Sequence, residues 1–164
     1  MTQTILAPTR GGRASYPNQD QVIRIAEERN AEILFLYVTD VRFLGHTASP
    51  ILVDIETEID EMGEFLLTMA QERARKAGVK AKITVRRGAF RQVLREIIAE
   101  QEIHAVVLGS SSEGTGFTTH EYIEELSAEM SAKTGIEFIV VHEGKILNTY
   151  KPGSKQEAEE KNGA

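Results

Sequence analysis

A segment rich in glycine and hydroxyl groups, residues 109–116, is the part of the chain that most strongly indicates ligand chemistry. Its sequence is Gly-Ser-Ser-Ser-Glu-Gly-Thr-Gly, it follows the apolar run 105–108, and Thr118 and Glu121 behind it have the spacing of a helix capping box. Backbone and hydroxyl groups before a helix N-terminus can bind an anion such as phosphate. The pattern therefore predicts an anion or nucleotide site, although a plain loop whose glycines need positive φ angles has the same composition.

Other kinds of site have weaker sequence support. The chain has no cysteine, and its four histidines do not have the spacing of metal ligands on a helix. Neither the Gly-x-Ser-x-Gly elbow of hydrolases nor the Gly-x-x-x-x-Gly-Lys-Ser/Thr loop of P-loop nucleotidases is present. His120 lies next to the candidate loop and is a secondary candidate, but a solvated histidine at a helix cap is the more ordinary interpretation. We predict no metal site.

Composition narrows the class of protein. A length of 164 residues suits one domain, and a formal charge of −6 argues against a broad nucleic-acid footprint. The N-terminal residues lack the basic start and apolar core of a signal peptide, and no apolar run approaches the roughly 20 residues that span a bilayer. We expect a cytoplasmic protein with no membrane insertion and no nucleic-acid partner.

Strand and helix patterns alternate along the chain. Helix signals begin near Pro17 and end at Asn30, and a long amphipathic helix is predicted from Asp54 to Lys76. Its predicted apolar face is Ile55, Ile59, Met62, Leu66 and Met69. The predicted strands lie at residues 5–7, 33–38, 82–86, 105–108 and 136–141. This alternation predicts an α/β fold with an open, mostly parallel five-stranded sheet and helices on both faces.

The residues at the ends of these strands resemble those of the universal stress protein family. The resemblance rests on the runs 5–12, 107–110 and 138–141 and on the strand that ends at Val38, and it extends over about residues 3 to 142. It implies an open α/β fold of the adenine nucleotide α-hydrolase-like type and usually a dimer. The family has one branch that binds ATP and one that does not, and no single reaction defines it.

The resemblance also implies where a ligand would bind. The candidate ligand-binding residues are Thr9, Arg10, Val38, Gly109, Ser110, Ser111, Ser112, Gly114, Gly116, Thr118, Thr119, Glu124 and Glu125. None of them is predicted to be catalytic.

Both parts of the pattern of the ATP-binding branch are altered, and Ser111-Ser112 stand where its second glycine would be due. That branch has an Asp two positions after the first strand's proline, where this chain has Arg10. That branch also has the motif Gly-x-x-Gly, followed after nine residues by Gly-Ser or Gly-Thr. Counting nine residues on from Gly114 in this chain leads to Glu124-Glu125, which stand in place of the Gly-Ser or Gly-Thr pair. A carboxylate about 4 Å from a phosphate would oppose binding by roughly 1–4 kcal/mol, against about 1 kcal/mol from the helix dipole. The sequence therefore favours a binding or regulatory module that does not bind ATP in the family's usual way.

Three alternatives remain open at the level of sequence. Arg10 could form an ion pair with Glu124 or Glu125 inside the pocket, or all three could be solvated. The chain could instead bind ATP or AMP as a cofactor, with slow or no hydrolysis. It could also be an interaction subunit that regulates a transporter or a kinase.

The C-terminal part of the chain leads to a prediction about assembly. The run from Ile136 to Val141 is expected to be an edge strand, and pairing with its copy in a second subunit would give a homodimer. Alternatively, residues 145–150 fold back over that edge and keep the protein monomeric. We place the domain at residues 1–147 and expect residues 148–164, which are charged and poor in apolar side chains, to form a disordered tail.

Overall fold

The computed structural model describes residues 2–40, 49–110 and 120–152, with the side chains of α2 described from residue 55 onward. The strands are β1 (Thr4–Pro8), β2 (Glu32–Thr39), β3 (Ala81–Arg87), β4 (Ala105–Ser110), β5 (Glu137–His142) and β6 (Lys145–Tyr150). The helices are α1 (Tyr16–Arg29), α2 (Ser49–Lys76), α3 (Phe90–Glu100) and α4 (His120–Thr134). Among the described helices, none is long and apolar enough to cross a lipid bilayer.

The described strands form one sheet in the order β3-β2-β1-β4-β5-β6. Strands β1 to β5 run parallel to one another, and β6 is antiparallel to β5. The prediction of a mostly parallel α/β sheet is confirmed, but the predicted count of five strands is wrong because β6 adds a sixth. β6 escaped the sequence analysis because both of its faces are largely exposed, so no apolar run marks it.

Each central strand contributes to two apolar cores because successive side chains in a strand point to opposite faces of the sheet. Ile5 and Phe35 pack on one face with α1 and α2, and Leu6 and Leu36 pack on the other with α3 and α4. Continuous apolar sequence is what such doubly covered strands require. β3 is only partly buried, as its alternating sequence predicts for an edge strand.

The end of α1 agrees with the sequence prediction. Asn30 is its C-cap and adopts the left-handed conformation with φ of 51° and ψ of 44°, which asparagine tolerates better than most residues. The start of α2 differs, because the helix begins at Ser49 rather than at the predicted Asp54.

The buried face of α2 is the predicted one only in part, since three of its five predicted residues are half-buried. Met62 and Met69 are 51% and 40% exposed, whereas Leu67, Ala70 and Ala74 are at most 1% exposed. Small residues bring this helix close to the sheet: a Cβ atom added to Gly63 would lie 2.5 Å from Cδ1 of the Tyr37 ring. The spacing of the largest apolar residues therefore misplaced the two methionines, because the sheet packs against the smaller residues of the helix.

The prediction that β5 is an edge strand is also wrong. β6 pairs with it from Phe138–Tyr150 to His142–Lys145, with a register irregularity between Val140 and Val141. The alternative, in which residues 145–150 fold back over this edge, is the arrangement that the structure adopts. Residues 148–150 belong to β6 rather than to a tail, and a homodimer remains a prediction that needs another surface.

Candidate functional site

A cleft of about 900 Å³ opens at the carboxyl ends of the parallel strands. It lies where the sheet order reverses, since β1 is followed by β2 on one side and by β4 on the other. The pairing of β1 with β4 covers only Ile5–Ala105 and Leu6–Val106, so the two strands separate beyond these residues and leave space between them. Such a switch point is the usual ligand site of an open α/β sheet.

Five of the thirteen candidate residues line this cleft, and the structure brings them together from three strand ends. They are Thr9, Arg10, Val38, Gly109 and Ser110. Six others lie outside the described residues: Ser111, Ser112, Gly114, Gly116, Thr118 and Thr119. Glu124 and Glu125 lie on α4 and are not part of the described lining.

The loop after β1 is held by Thr9. Its backbone N–H donates to the carbonyl oxygen of Leu36 at 2.9 Å, and its hydroxyl accepts from the N–H of Gly11 at 3.1 Å. Gly11 has a φ of 75° and a Cβ added there would lie 2.6 Å from Cβ of Leu66, so this turn requires glycine. The side chain of Arg10, between them, is exposed at the rim of the cleft.

Val38 presents its backbone to the cleft. The backbone groups of the even-numbered residues of β2 form hydrogen bonds on the side of β1, as the carbonyl oxygen of Leu36 does with the N–H of Thr9. Those of the odd-numbered residues form them on the side of β3, as the carbonyl oxygen of Thr39 does with the N–H of Gly88. The register of β1 with β2 ends at Pro8–Leu36. The N–H and C=O groups of Val38 therefore point toward the β1 side at a position beyond the last β1 residue.

Gln19 is a functional candidate that the sequence analysis missed. It is 3% exposed, lines the cleft, and donates from Nε2 to the Thr9 hydroxyl at 3.1 Å. Its Oε1 atom is buried without a hydrogen-bond partner in the described structure. A buried acceptor of this kind is unfavourable unless a ligand or water supplies a donor. No sequence signal could have identified it, because a glutamine on an amphipathic helix is usually solvated.

Gly109 allows α1 to approach the end of β4. A Cβ atom at this position would lie 2.8 Å from Nδ2 of Asn18, which also lines the cleft. The Oδ1 atom of Asn18 accepts from the N–H of Gly144 at 3.0 Å. The glycine assigned to ligand binding thus also has a packing role, since a larger residue would displace the side chain that links α1 to the β5–β6 turn.

Ser110 is oriented by His142. The His142 Nδ1 atom lies 3.0 Å from the Ser110 hydroxyl oxygen and 3.1 Å from the Ser110 carbonyl oxygen. A carbonyl oxygen can only accept, which favours the proton on Nδ1 and makes the hydroxyl oxygen an acceptor as well. This arrangement positions Ser110 but does not provide the general base that an attacking serine needs.

Glu124 has partners other than Arg10. Its two carboxylate oxygens each accept from Asn148 Nδ2 at 2.9 Å, and it also accepts from the Tyr150 hydroxyl. His120 Nε2 lies 3.7 Å away. Within the described residues, no ion pair joins Arg10 to Glu124 or Glu125, and Glu124 instead holds β6 against α4. Glu125 is exposed.

Charge at the cleft is mixed. Tyr150 lies outside the described lining. Its burial, and to a smaller extent the neighbouring Glu124 carboxylate, raise its pKa to about 12. Of the two arginines in the described part of the lining, Arg91 donates a hydrogen bond to Glu129, which raises the pKa of that guanidinium. Asp40 and Glu143 are acidic members of the lining. Within residues 2–40, 49–110 and 120–152, no group of three or more His, Asp or Glu side chains could hold a metal ion.

Comparisons with known proteins agree with this architecture. The sequence profile of the Universal stress protein family matches residues 1–118. No curated protein matches the sequence. Universal stress protein UspA from Lactobacillus plantarum has 17% identity and a TM-score of 0.68, with 85% of this chain and 97% of that chain covered.

Two further solved structures are similar. A protein from the universal stress protein family from Burkholderia pseudomallei has 20% identity and a TM-score of 0.63, with 85% and 95% of the two chains covered. A universal stress protein in complex with cAMP has 21% identity and a TM-score of 0.60, with 85% and 97% covered. Identities this low establish the fold alone, whereas the profile match covers most of the sequence. The chain therefore belongs to the universal stress protein family.

Proposed function

We propose that this chain is a binding or regulatory module that takes a purine mononucleotide in the cleft and does not bind ATP in the family's usual way. The observation that carries the proposal is the Val38 backbone, whose N–H and C=O extend beyond the end of β1 on the side of the cleft. An adjacent donor and acceptor match the ring nitrogen and amino group on one edge of adenine. A universal stress protein of similar fold was solved with cAMP, which supports this class of ligand.

Gln19 supplies a second point of recognition. Its buried Oε1 atom has no partner in the described structure, and a ligand N–H or O–H would satisfy it. Hydrogen bonds to a buried group of this kind contribute to specificity because a ligand that lacks the donor leaves the group unpaired.

The charges near the cleft favour a ligand with few phosphates. Exposed Arg10 at the rim can neutralise one phosphate, while the carboxylate of Glu143 in the lining would repel a longer chain of phosphates. Each repulsion is roughly 1–4 kcal/mol at 4 Å, depending on exposure. A monophosphate or a cyclic monophosphate therefore suits this cleft better than a triphosphate.

Calorimetric titration of the purified chain with AMP, cAMP and ATP, each with and without Mg²⁺, tests the proposal. We expect AMP or cAMP to bind at least about tenfold more tightly than ATP, the ratio that 1.4 kcal/mol gives. Gln19→Leu should weaken binding by roughly five- to a hundredfold, the effect of losing about 1–3 kcal/mol at a buried polar group.

Gln21→Leu is the matched control. Gln21 is also on α1 and is 9% exposed, but it bonds to Arg24 and does not line the cleft. Its replacement should leave the affinity unchanged. ATP binding that is tighter than AMP binding would instead support the alternative of an ATP-binding protein. Equal losses in both glutamine variants would contradict a role for Gln19 in the site.

A further inference from the structure

The outward side of α2 carries apolar side chains where solvent would normally select polar ones. Met62, Phe65 and Met69 are 51%, 64% and 40% exposed and follow one another at helical spacing. Within the described residues, the other exposed large hydrophobic side chains, Ile146 and Leu147, belong to β6. A continuous exposed apolar surface of this kind indicates an interaction site.

The residues along this side of α2 form a symmetric series. We call it the α2 stripe, and its members are Glu58, Met62, Phe65, Met69, Glu72 and Lys76. Their steps along the chain are four, three, four, three and four residues, so the series has its midpoint at position 67. The apolar members lie near the middle, and the two ends carry opposite charges.

We propose that the α2 stripe is a two-fold interface at which two copies of this chain pack their α2 helices antiparallel. A two-fold axis at position 67 places Phe65 against Met69 of the partner subunit and Glu58 against Lys76 of the partner subunit. Each contact occurs twice, as in any isologous interface. The i, i+3 and i+4 positions lie on one face of the helix, so all six members can take part together.

The electrostatics of the stripe favour a second copy as its occupant. The acidic end at Glu58 meets the basic end at Lys76 only when the two helices are antiparallel. Glu72, which would lie beside Met62 of the partner subunit, accepts from Arg75 Nε at 2.8 Å within its own helix, so its charge is already balanced. β6 covers the edge of β5, so the β5 pairing expected from the sequence does not compete with the α2 stripe.

The size of the α2 stripe determines how tightly we expect the dimer to associate. Residues 58–76 span about 27 Å along the helix at 1.5 Å per residue. One helix face of that length buries less than the roughly 800 Å² per partner of a standard interface. We therefore expect a reversible dimer with a dissociation constant in the micromolar range.

Sedimentation velocity over a concentration series tests the proposal directly. The unaltered chain should change from monomer to dimer as the concentration rises, and Phe65→Asp should weaken dimerisation by about thirtyfold, as expected for a central hot-spot residue. Because Phe65 is exposed, thermal unfolding of this variant should match that of the unaltered chain at concentrations where both are monomeric. Ile146→Asp on β6, at a residue that is 48% exposed, is the matched control and should leave the dimer intact.

Charge reversal tests the antiparallel register. Glu58→Lys alone and Lys76→Glu alone should each weaken the dimer, because like charges then face each other at both ends. Mixing the two variants should restore it, since both contacts again join opposite charges. Glu28→Lys on α1 changes the net charge equally at an exposed site outside the stripe and should have no effect.

Disulfide trapping gives an independent test in this cysteine-free chain. A mixture of Glu58→Cys and Lys76→Cys should cross-link, whereas each variant alone should not, because like positions lie about 27 Å apart along the helices. A chain that stays monomeric at the highest concentration, a dimer that Phe65→Asp leaves intact, or one that Ile146→Asp dissociates would overturn the proposal.

Discussion

The helices α2 and α4 pack on opposite faces of the same sheet, and they do so in different ways. α4 buries its large apolar side chains, with Ile123, Leu126 and Met130 at most 3% exposed. α2 buries Leu67 together with alanines and a glycine, and leaves Phe65 at 64% exposure. A large apolar residue on a helix therefore indicates contact with something, but the sheet is only one of the surfaces it can contact.

The largest expected effect separates buried from exposed apolar residues. Leu126→Ala should lower the free energy of unfolding by about 2–5 kcal/mol because it leaves a cavity in the core under α4. Phe65→Ala on α2 should change it by no more than about 0.5 kcal/mol at concentrations where the chain is monomeric. Urea unfolding of both variants measures the difference, and similar losses would mean that the two faces are packed alike.

A smaller effect is expected from Gly63→Ala, which tests why α2 lies so close to the sheet. Alanine gains about 1 kcal/mol of helix propensity over glycine. The new Cβ atom would lie 2.5 Å from the Tyr37 ring, and overpacking costs about 1–3 kcal/mol, so we expect net destabilisation. Adding Tyr37→Ala should make the Gly63→Ala change less unfavourable. A gain in stability from Gly63→Ala alone would show that α2 can move away from β2.

The smallest effect on stability is expected where β6 packs on the outer side of α4, at the contact between Tyr150 and Glu124. Burial and the Glu124 carboxylate raise the pKa of Tyr150 from 10.0 to about 12. The native state therefore holds this proton more tightly than the unfolded chain. Its contribution to stability is complete below pH 10 and disappears as the pH rises through about 12.

Tyr150→Phe tests this contribution. The difference in unfolding midpoint between the unaltered chain and this variant should shrink as the pH rises from about 10 to about 12, the interval between unfolded and folded pKa values. A difference that is constant over this range would mean that the hydroxyl does not interact with Glu124. Ser131 offers β6 a second contact, with its Oγ atom 2.9 Å from the Tyr150 carbonyl oxygen, so the strand should stay attached.

The comparison of the two helices also shows which features of the fold could be predicted from sequence patterns. The end of α1 at Asn30 was predictable because few residues tolerate a left-handed cap. The burial of β1, β2, β4 and β5 was predictable because their apolar runs leave no polar face. The buried side of α2 was not, because its sequence has apolar residues on two sides and the choice depends on Tyr37 of a different strand.

The residues of the candidate site also differ in whether the sequence could identify them. Thr9, Arg10, Val38, Gly109 and Ser110 line the cleft because they lie at strand ends that share one edge of the sheet. Their role in ligand binding stays a prediction. Glu124 was identified by counting along the pattern that the family resemblance implies, and the structure gives it Asn148 and Tyr150 as partners. Gln19 carries no pattern, since its importance comes from being buried beside Thr9.

The sequence by itself determined the alternation of strands and helices, the central parallel sheet and the family, because these follow from local periodicity and from residues at strand ends. Only the tertiary structure decided that β6 covers β5, that α2 turns its methionines outward, and that the Val38 backbone extends beyond β1. These features depend on contacts between residues far apart in the chain, and burial and register are properties of such contacts rather than of any one segment.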